Sequence, residues 1–123
     1  SVVFDAGPDR DRTMMGQTAE QVAAGLDAAG AAAIGATCGQ GIGGFAPVCR
    51  QLRAATRLPL WMTPNAGLPE LLDGRTVYRV APEAFAAQVP ELLRAGAAFV
   101  GGCCGTGPAF IRAMARLLAE GKE

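Results

Sequence analysis

The stretch Ala97–Leu118, AAFVGGCCGTGPAFIRAMARLL, decides the fold. It opens on the apolar run 97–101 (AAFVG), too short for a helix and suited to a buried strand. A glycine-flanked loop carrying Cys103 and Cys104 follows. Pro108 then suits the first turn of a helix, where its missing N–H costs little. Ile111, Met114 and Leu118 recur at helical spacing and predict the buried stripe of that helix. The stretch is one strand–loop–helix unit.

The same unit recurs upstream. Residues 58–63 (LPLWMT) read as a strand, followed by the loop Pro64-Asn65-Ala66-Gly67-Leu68-Pro69 and an irregular segment as far as Val80. A helix then starts at Pro82-Glu83, with Phe85, Val89, Leu92 and Leu93 as its apolar positions and a kink expected at Pro90. Residues 31–37 (AAAIGAT) form a strand ending in Cys38-Gly39-Gln40-Gly41. The next helix holds Pro47 in its first turn and buries Val48, Leu52 and Ala55. At the start, residues 1–5 (SVVFD) predict a strand that breaks at Ala6-Gly7-Pro8. Thr18 and Gln21 form a capping box for a helix with Val22, Ala23 and Leu26 on one face and Gly30 as its stop. Trp61 and Phe99 are assigned to the core.

Near-continuous apolar strands alternating with helices predict an α/β fold with a parallel sheet. The chain reads as a single domain over residues 1–123, a parallel (βα)4 segment. Four such units supply about half of the ~250 residues of an eight-stranded TIM barrel. An open four-stranded segment leaves two unpaired edges. Completion by dimerisation or by a partner half-barrel is therefore expected.

Eleven basic and eleven acidic side chains cancel, which gives no net field to recruit nucleic acid or an anionic membrane. No apolar run approaches the ~20 residues of a membrane span, and no signal segment is expected at the start. The chain has no histidine, so acid–base or metal chemistry falls to Cys, Asp, Glu, Asn or the substrate. The four cysteines are Cys38, Cys49, Cys103 and Cys104. Half of the residues are hydrophobic, unlike a core-poor disulfide scaffold, and a reduced, cytoplasmic protein is expected.

Cys38, Asn65, Cys103 and Cys104 all fall just past the ends of predicted strands, the rim where parallel α/β folds place their chemistry. Cys38, Cys103 and Cys104 converging there can hold one Zn²⁺ as thiolates, with a fourth position open as in catalytic sites. Neighbouring strand residues point to opposite faces. Cys103 and Cys104 can therefore share a metal only if the strand ends before them, which the flanking glycines permit. The competing reading is that these cysteines fill the core. Cys49, on a helix among apolar residues, reads as core. The glycine-rich residues 39–44 fit neither a P-loop nor a dinucleotide fingerprint and read as a turn. Asp5, Asp9 and Asp11 read as a solvated loop.

These motifs resemble those of the homocysteine S-methyltransferase family, of the type of the homocysteine-binding domain of cobalamin-dependent methionine synthase. The matching residues are Gly35-Ala36-Thr37-Cys38, Pro64-Asn65-Ala66-Gly67-Leu68-Pro69, Gly101-Gly102-Cys103-Cys104-Gly105-Thr106 and Gly16-Gln17-Thr18. The resemblance spans the chain and matches the C-terminal half of the family's barrel. It implies Cys38, Cys103 and Cys104 as zinc ligands and catalytic residues, Asn65 as the labile fourth ligand, and Asn65 and Gly102 as substrate contacts. It also implies one zinc per chain activating homocysteine, or a similar thiol, as a zinc-bound thiolate that attacks a methyl donor to give a methionine-type thioether. Methylcobalamin on a partner domain or protein is one implied donor. Two departures flank the site: Thr37 stands where the family usually has Asn, and Gly107-Pro108-Ala109-Phe110 replaces a Thr-Pro-x-His continuation. The family's other substrate contacts come from the first half of its barrel. The alternative is a non-catalytic zinc- or thiol-binding module acting in assembly or ligand binding.

Overall fold

Thr18 ends an extended segment and caps the helix α1 (Ala19–Ala28) with both halves of a capping box. Its hydroxyl accepts the Gln21 N–H, and the Gln21 side chain accepts the Thr18 N–H. The computed structural model describes residues 1–121; residues 122 and 123, the end of the expected domain, lie outside the described residues. After α1 come β1 (Ile34–Cys38), a short 3-10 turn (Ile42–Gly44), α2 (Phe45–Ala55) and β2 (Leu60–Pro64). The elements β3 (Glu70–Leu72), β4 (Arg75–Val77), α3 (Pro82–Ala86), α4 (Val89–Arg94), β5 (Ala97–Val100) and α5 (Pro108–Glu120) follow.

The sheet order is β1–β2–β5, with both pairings parallel. The expected first strand shrinks to a single parallel bridge between Val2 and Ala36. It is held by the Val2 N–H to Gly35 O at 3.0 Å and the Thr37 N–H to Val2 O at 3.0 Å. Phe4 is nevertheless buried, so this segment packs as expected without forming a ladder. Successive segments lie side by side in chain order, without the reversal of a doubly wound sheet.

One face of the sheet meets the helices. Ile34, Ala36, Leu60, Met62 and Ala97 join Val22, Ala23, Val48, Cys49, Leu52, Val89 and Leu92 in the core. Phe85 and Phe110 meet edge to face with ring centroids 5.4 Å apart, linking α3 to α5. Trp61 and Phe99, expected in the core, are 52% and 50% exposed instead. Alternation along the strand explains the correction: with Leu60 and Met62 turned to the helices, Trp61 must face the other way. The two rings meet there in a tilted pair, with centroids 5.2 Å apart and planes at 37°.

The helix stripes need smaller corrections. In α5 the buried pair is Phe110 and Met114, while Ile111 and Leu118 are exposed. The stripe is rotated by about one residue from the expected one, because Phe110 rather than Ile111 enters the core. Ala55 and Leu93 are likewise exposed, beside the buried Leu52 and Leu92. Pro90 kinks nothing; the helix divides before it, and Pro90 sits in the first turn of α4. The segment expected to be irregular contains the antiparallel β3–β4 hairpin, which turns through Asp73 and Gly74 with φ of 49° and 75°. Two consecutive left-handed residues are the requirement of a type I′ turn, which Asp-Gly satisfies.

Candidate metal centre

β1 ends at Cys38, whose φ of 60° is left-handed. For a residue other than glycine that conformation is uncommon, and such positions cluster at functional sites. The turn swings the Cys38 side chain off the strand and towards the loop after β5. That loop begins at Gly101, so the strand ends before Cys103 and Cys104, as a shared site requires. The Cys103 N–H still bonds to Pro64 O at 3.0 Å, and the Thr106 hydroxyl donates to Cys103 O at 2.7 Å. A Cβ on Gly102 would lie 2.2 Å from the Thr106 hydroxyl oxygen, so only glycine fits at 102.

The outcome is a cluster of three sulfurs. Cys38 Sγ and Cys103 Sγ are 2.9 Å apart, Cys103 Sγ and Cys104 Sγ 3.9 Å, and all three lie within 4.8 Å of one another. Cys38 and Cys103 are partly buried and Cys104 is exposed. The reading of these three as core filler is set aside by that convergence. Three soft thiolate donors suit Zn²⁺ and leave a tetrahedral position open for an incoming ligand.

Cys38 and Cys103 share one hydrogen bond, which separates their acidities. The contact with Cys38 stabilises the Cys103 thiolate and lowers its pKa from 9.0 to about 7. The same contact keeps the proton on Cys38, and with some burial raises its pKa to about 11. Cys49 is fully buried, its sulfur 3.8 Å from Leu92 O, and burial pushes its thiol up. It is the core residue expected.

Asn65 follows β2 and lies between the two cysteine loops. Its Nδ2 donates to Gly39 O at 2.8 Å, and its Oδ1 accepts the Cys104 N–H at 3.0 Å. The glycine-rich turn thus brings the Gly39 carbonyl to the site. A cavity of ≈ 350 Å³ opens on the other side of that turn, lined by Phe4, Asp5, Arg10 and Phe45 among others and by none of the three cysteines. Asp5 pairs with Arg10 at 3.4 Å in an exposed loop.

Sequence reasoning passed over three contributors. The Thr63 hydroxyl donates to Thr37 Oγ1 at 2.8 Å, and Thr37 Oγ1 lies 4.0 Å from Cys38 Sγ. Thr106 supports the carbonyl of Cys103. Tyr78, delivered by the hairpin, packs so closely on Gly105 that a Cβ there would meet its ring at 2.3 Å. The register Thr37–Thr63 was within reach of the strand assignments; nothing local announces Tyr78.

A family model described as homocysteine S-methyltransferase matches residues 1–118. The chain belongs to the homocysteine S-methyltransferase family. It is 38% identical over 94 residues to the methionine synthase of Mycobacterium tuberculosis, a match covering 73% of this chain and 8% of that protein. Against homocysteine S-methyltransferase 4 of Zea mays it is 36% identical over 77 residues, 56% of this chain and 21% of that one. Among solved structures it is similar to the metallated form of the homocysteine methyltransferase MmuM from Escherichia coli. There the TM-score is 0.69 at 28% identity, over 91% of this chain and 34% of that one. The oxidised form of MmuM matches with a TM-score of 0.68 at 27% identity, covering 94% and 35%. The chain thus spans about a third of the solved family member and under a tenth of the mycobacterial methionine synthase. Among the described residues, no helix is long and apolar enough to cross a membrane.

Proposed function

We propose that this chain is the thiol-activating half of a zinc-dependent homocysteine S-methyltransferase barrel. The observation that carries the reading is the meeting of Cys38, Cys103 and Cys104 within 4.8 Å. These three residues hold one zinc, with Asn65 and Gly102 beside the position that the substrate thiol enters. When bound, zinc supplies Lewis acidity that makes a thiol nucleophilic at neutral pH without a histidine base.

The protein groups do the rest. The Cys38 turn and the 101–105 loop set the sulfur geometry, and Asn65 joins them. In the reaction a carbon–sulfur bond forms between the substrate sulfur and the methyl group as the donor's bond to that methyl breaks. The thiol proton leaves to solvent. Homocysteine or a similar thiol is the substrate, and a methylcorrinoid carried by another domain or protein is one of the donors that the site would serve.

The remainder of the barrel completes the sheet. Two findings support this: the Trp61–Phe99 pair stands half-exposed, and the family member of known structure is about three times as long as the matched segment. The three parallel strands and the bridged Val2 segment leave the rest of the eight strands at which such barrels close to be supplied from outside this chain. The proposed setting is the cytoplasm.

The deciding experiment combines the zinc-loaded chain with the complementary half of a family barrel, homocysteine and methylcobalamin. Methionine formation that requires both halves and is lost in Cys103→Ser supports the reading. Zinc binding with no methyl transfer and no response of the metal site to homocysteine overturns it.

A further inference from the structure

We propose that the cavity between the loop after the Val2 segment and the glycine-rich turn is a second ligand site, which takes a small zwitterion with an apolar side chain, an α-amino acid in class. None of the three clustered cysteines lines it, and the proposal stands whether or not that cluster holds zinc. The cavity measures ≈ 350 Å³, within the range of about 300–1,000 Å³ usual for small-molecule sites. It opens past the ends of two neighbouring parallel segments, the Val2 bridge and β1, the place where open α/β sheets hold ligands. Asp5 and Asp9, read from the sequence as part of a solvated loop, stand on one lip. Glycine-rich residues read as a plain turn, among them Gly41 and Gly44, form the other.

The lining has three chemistries. Phe4, Ala36, Phe45 and Val48 belong to the buried core and give the cavity an apolar floor, which favours an aliphatic group over water. Arg10, exposed at the wall, donates from Nη1 alone, to Asp5 O at 3.2 Å and Asp5 Oδ1 at 3.4 Å. Its Nε and Nη2 are left as donors for a carboxylate. Asp9 enters none of the ion pairs among the described residues and is open to an ammonium group. A cation with spare donors, a free carboxylate and an apolar floor match the two charged ends and the side chain of an amino acid. A simple anion or a simple cation would use only part of them. Arg10 is held at the wall by its backbone, which has a left-handed φ of 54° and an N–H bonded to Gly7 O at 3.3 Å. Gly44 has an ordinary right-handed backbone, with φ of -90° and ψ of -3°, and a Cβ there would meet no atom within 4 Å. Neither strain nor crowding requires glycine at 44, and the missing side chain leaves that wall open.

The metal-free full chain is titrated with L-leucine and followed by amide NMR; leucine carries no sulfur, which keeps this test separate from thiol binding at the cysteines. Saturable shifts are expected at Arg10 and at residues 39–45, with the Trp61 indole signal unmoved. Three analogues each remove one feature: leucinamide the carboxylate, N-acetyl-leucine the ammonium, and glycine the apolar side chain. Each should bind about tenfold or more weakly than leucine, in the range of a lost hydrogen bond to a charged group or a buried side chain. Arg10→Ala and Asp9→Asn change exposed side chains and should each weaken leucine binding about tenfold while leaving the remaining spectrum in place. Absence of shifts at tens of millimolar leucine overturns the proposal, as does glycine, leucinamide or N-acetyl-leucine binding as tightly as leucine. Unchanged affinity in Arg10→Ala and Asp9→Asn overturns it too. Shifts at Cys103 and Cys104 in place of residues 39–45 would put the ligand at the cysteine cluster and leave the cavity without a role, whereas failure of zinc binding or methyl transfer touches only the reading of the cysteines.

Discussion

The sulfurs of Cys38 and Cys103 stand 2.9 Å apart although 65 positions separate them in the chain. Cys38 ends β1 and Cys103 follows β5, and the intervening β2 lies between those strands in the sheet. Both side chains must therefore reach across the end of β2, which the left-handed backbone of Cys38 and the strand-free loop at Cys103 allow. The contact gives the metal-free chain one acidic thiol and one reluctant one.

That asymmetry predicts a pH profile. Below about pH 7 both thiols keep their protons and react slowly; between about 7 and 11 Cys103 is the thiolate and Cys38 the thiol that supports it. Alkylation by iodoacetamide, read by peptide mapping, should place Cys103 half-maximal near pH 7. Cys38→Ala removes the donor to the Cys103 thiolate and should move that midpoint upward towards 9.0, its ordinary value. A midpoint unmoved by the substitution would mean that the two sulfurs do not share a proton in solution.

Serine replacement at each cysteine should sort them into two classes. Cys38→Ser, Cys103→Ser and Cys104→Ser are each expected to weaken zinc binding by more than the 10–100-fold typical of an outer-shell loss, with folding preserved. Cys49→Ser should leave zinc stoichiometry at one per chain yet cost about 1–3 kcal/mol, because it sets a hydroxyl in a fully buried apolar site. Competition titration with a chromophoric chelator and urea unfolding measure the two effects.

Much of the fold and the site lies in local signals. The capping box at Thr18, the strand ends at Cys38 and Pro64, and the break before Cys103 each depend on a few neighbouring residues. So does the convergence of three sulfurs, once parallel strands are assumed to end on one rim. What escaped depended on distant packing or on one missed turn. Ile111 and Phe110 are both apolar and adjacent, and only docking against Phe85 selects Phe110. The half-exposure of Trp61 follows from which sheet face the helices cover, which an apolar strand does not declare. Leu72-Asp73-Gly74-Arg75 was a readable hairpin turn, hidden because the strands around it are only three residues long and exposed.

Two glycines should respond oppositely to alanine. Gly102→Ala must push Thr106 off the Cys103 carbonyl. It should cost about 1–3 kcal/mol as overpacking does, with a fall of about tenfold in metal affinity. Gly25 lies within α1, and nothing would crowd its Cβ. Gly25→Ala should stabilise by about 0.4–1 kcal/mol through the unfolded state. Paired urea curves check both signs, and equal effects at the two positions would refute the local account of Gly102.

The chain's single tryptophan reports on the open face of the sheet. Trp61 is 52% exposed and paired with Phe99 at a tilt, so its emission should be that of a solvated indole and readily quenched by acrylamide. Adding the complementary half of a family barrel should shift the emission to the blue and lower the quenching constant several-fold, because barrel interiors are filled by side chains. Pairing of two copies predicts instead that protection grows with the concentration of this chain alone, and sedimentation would show it. A tryptophan already shielded in dilute monomer would mean that the face is closed by the chain itself, and the need for a second half would disappear with it.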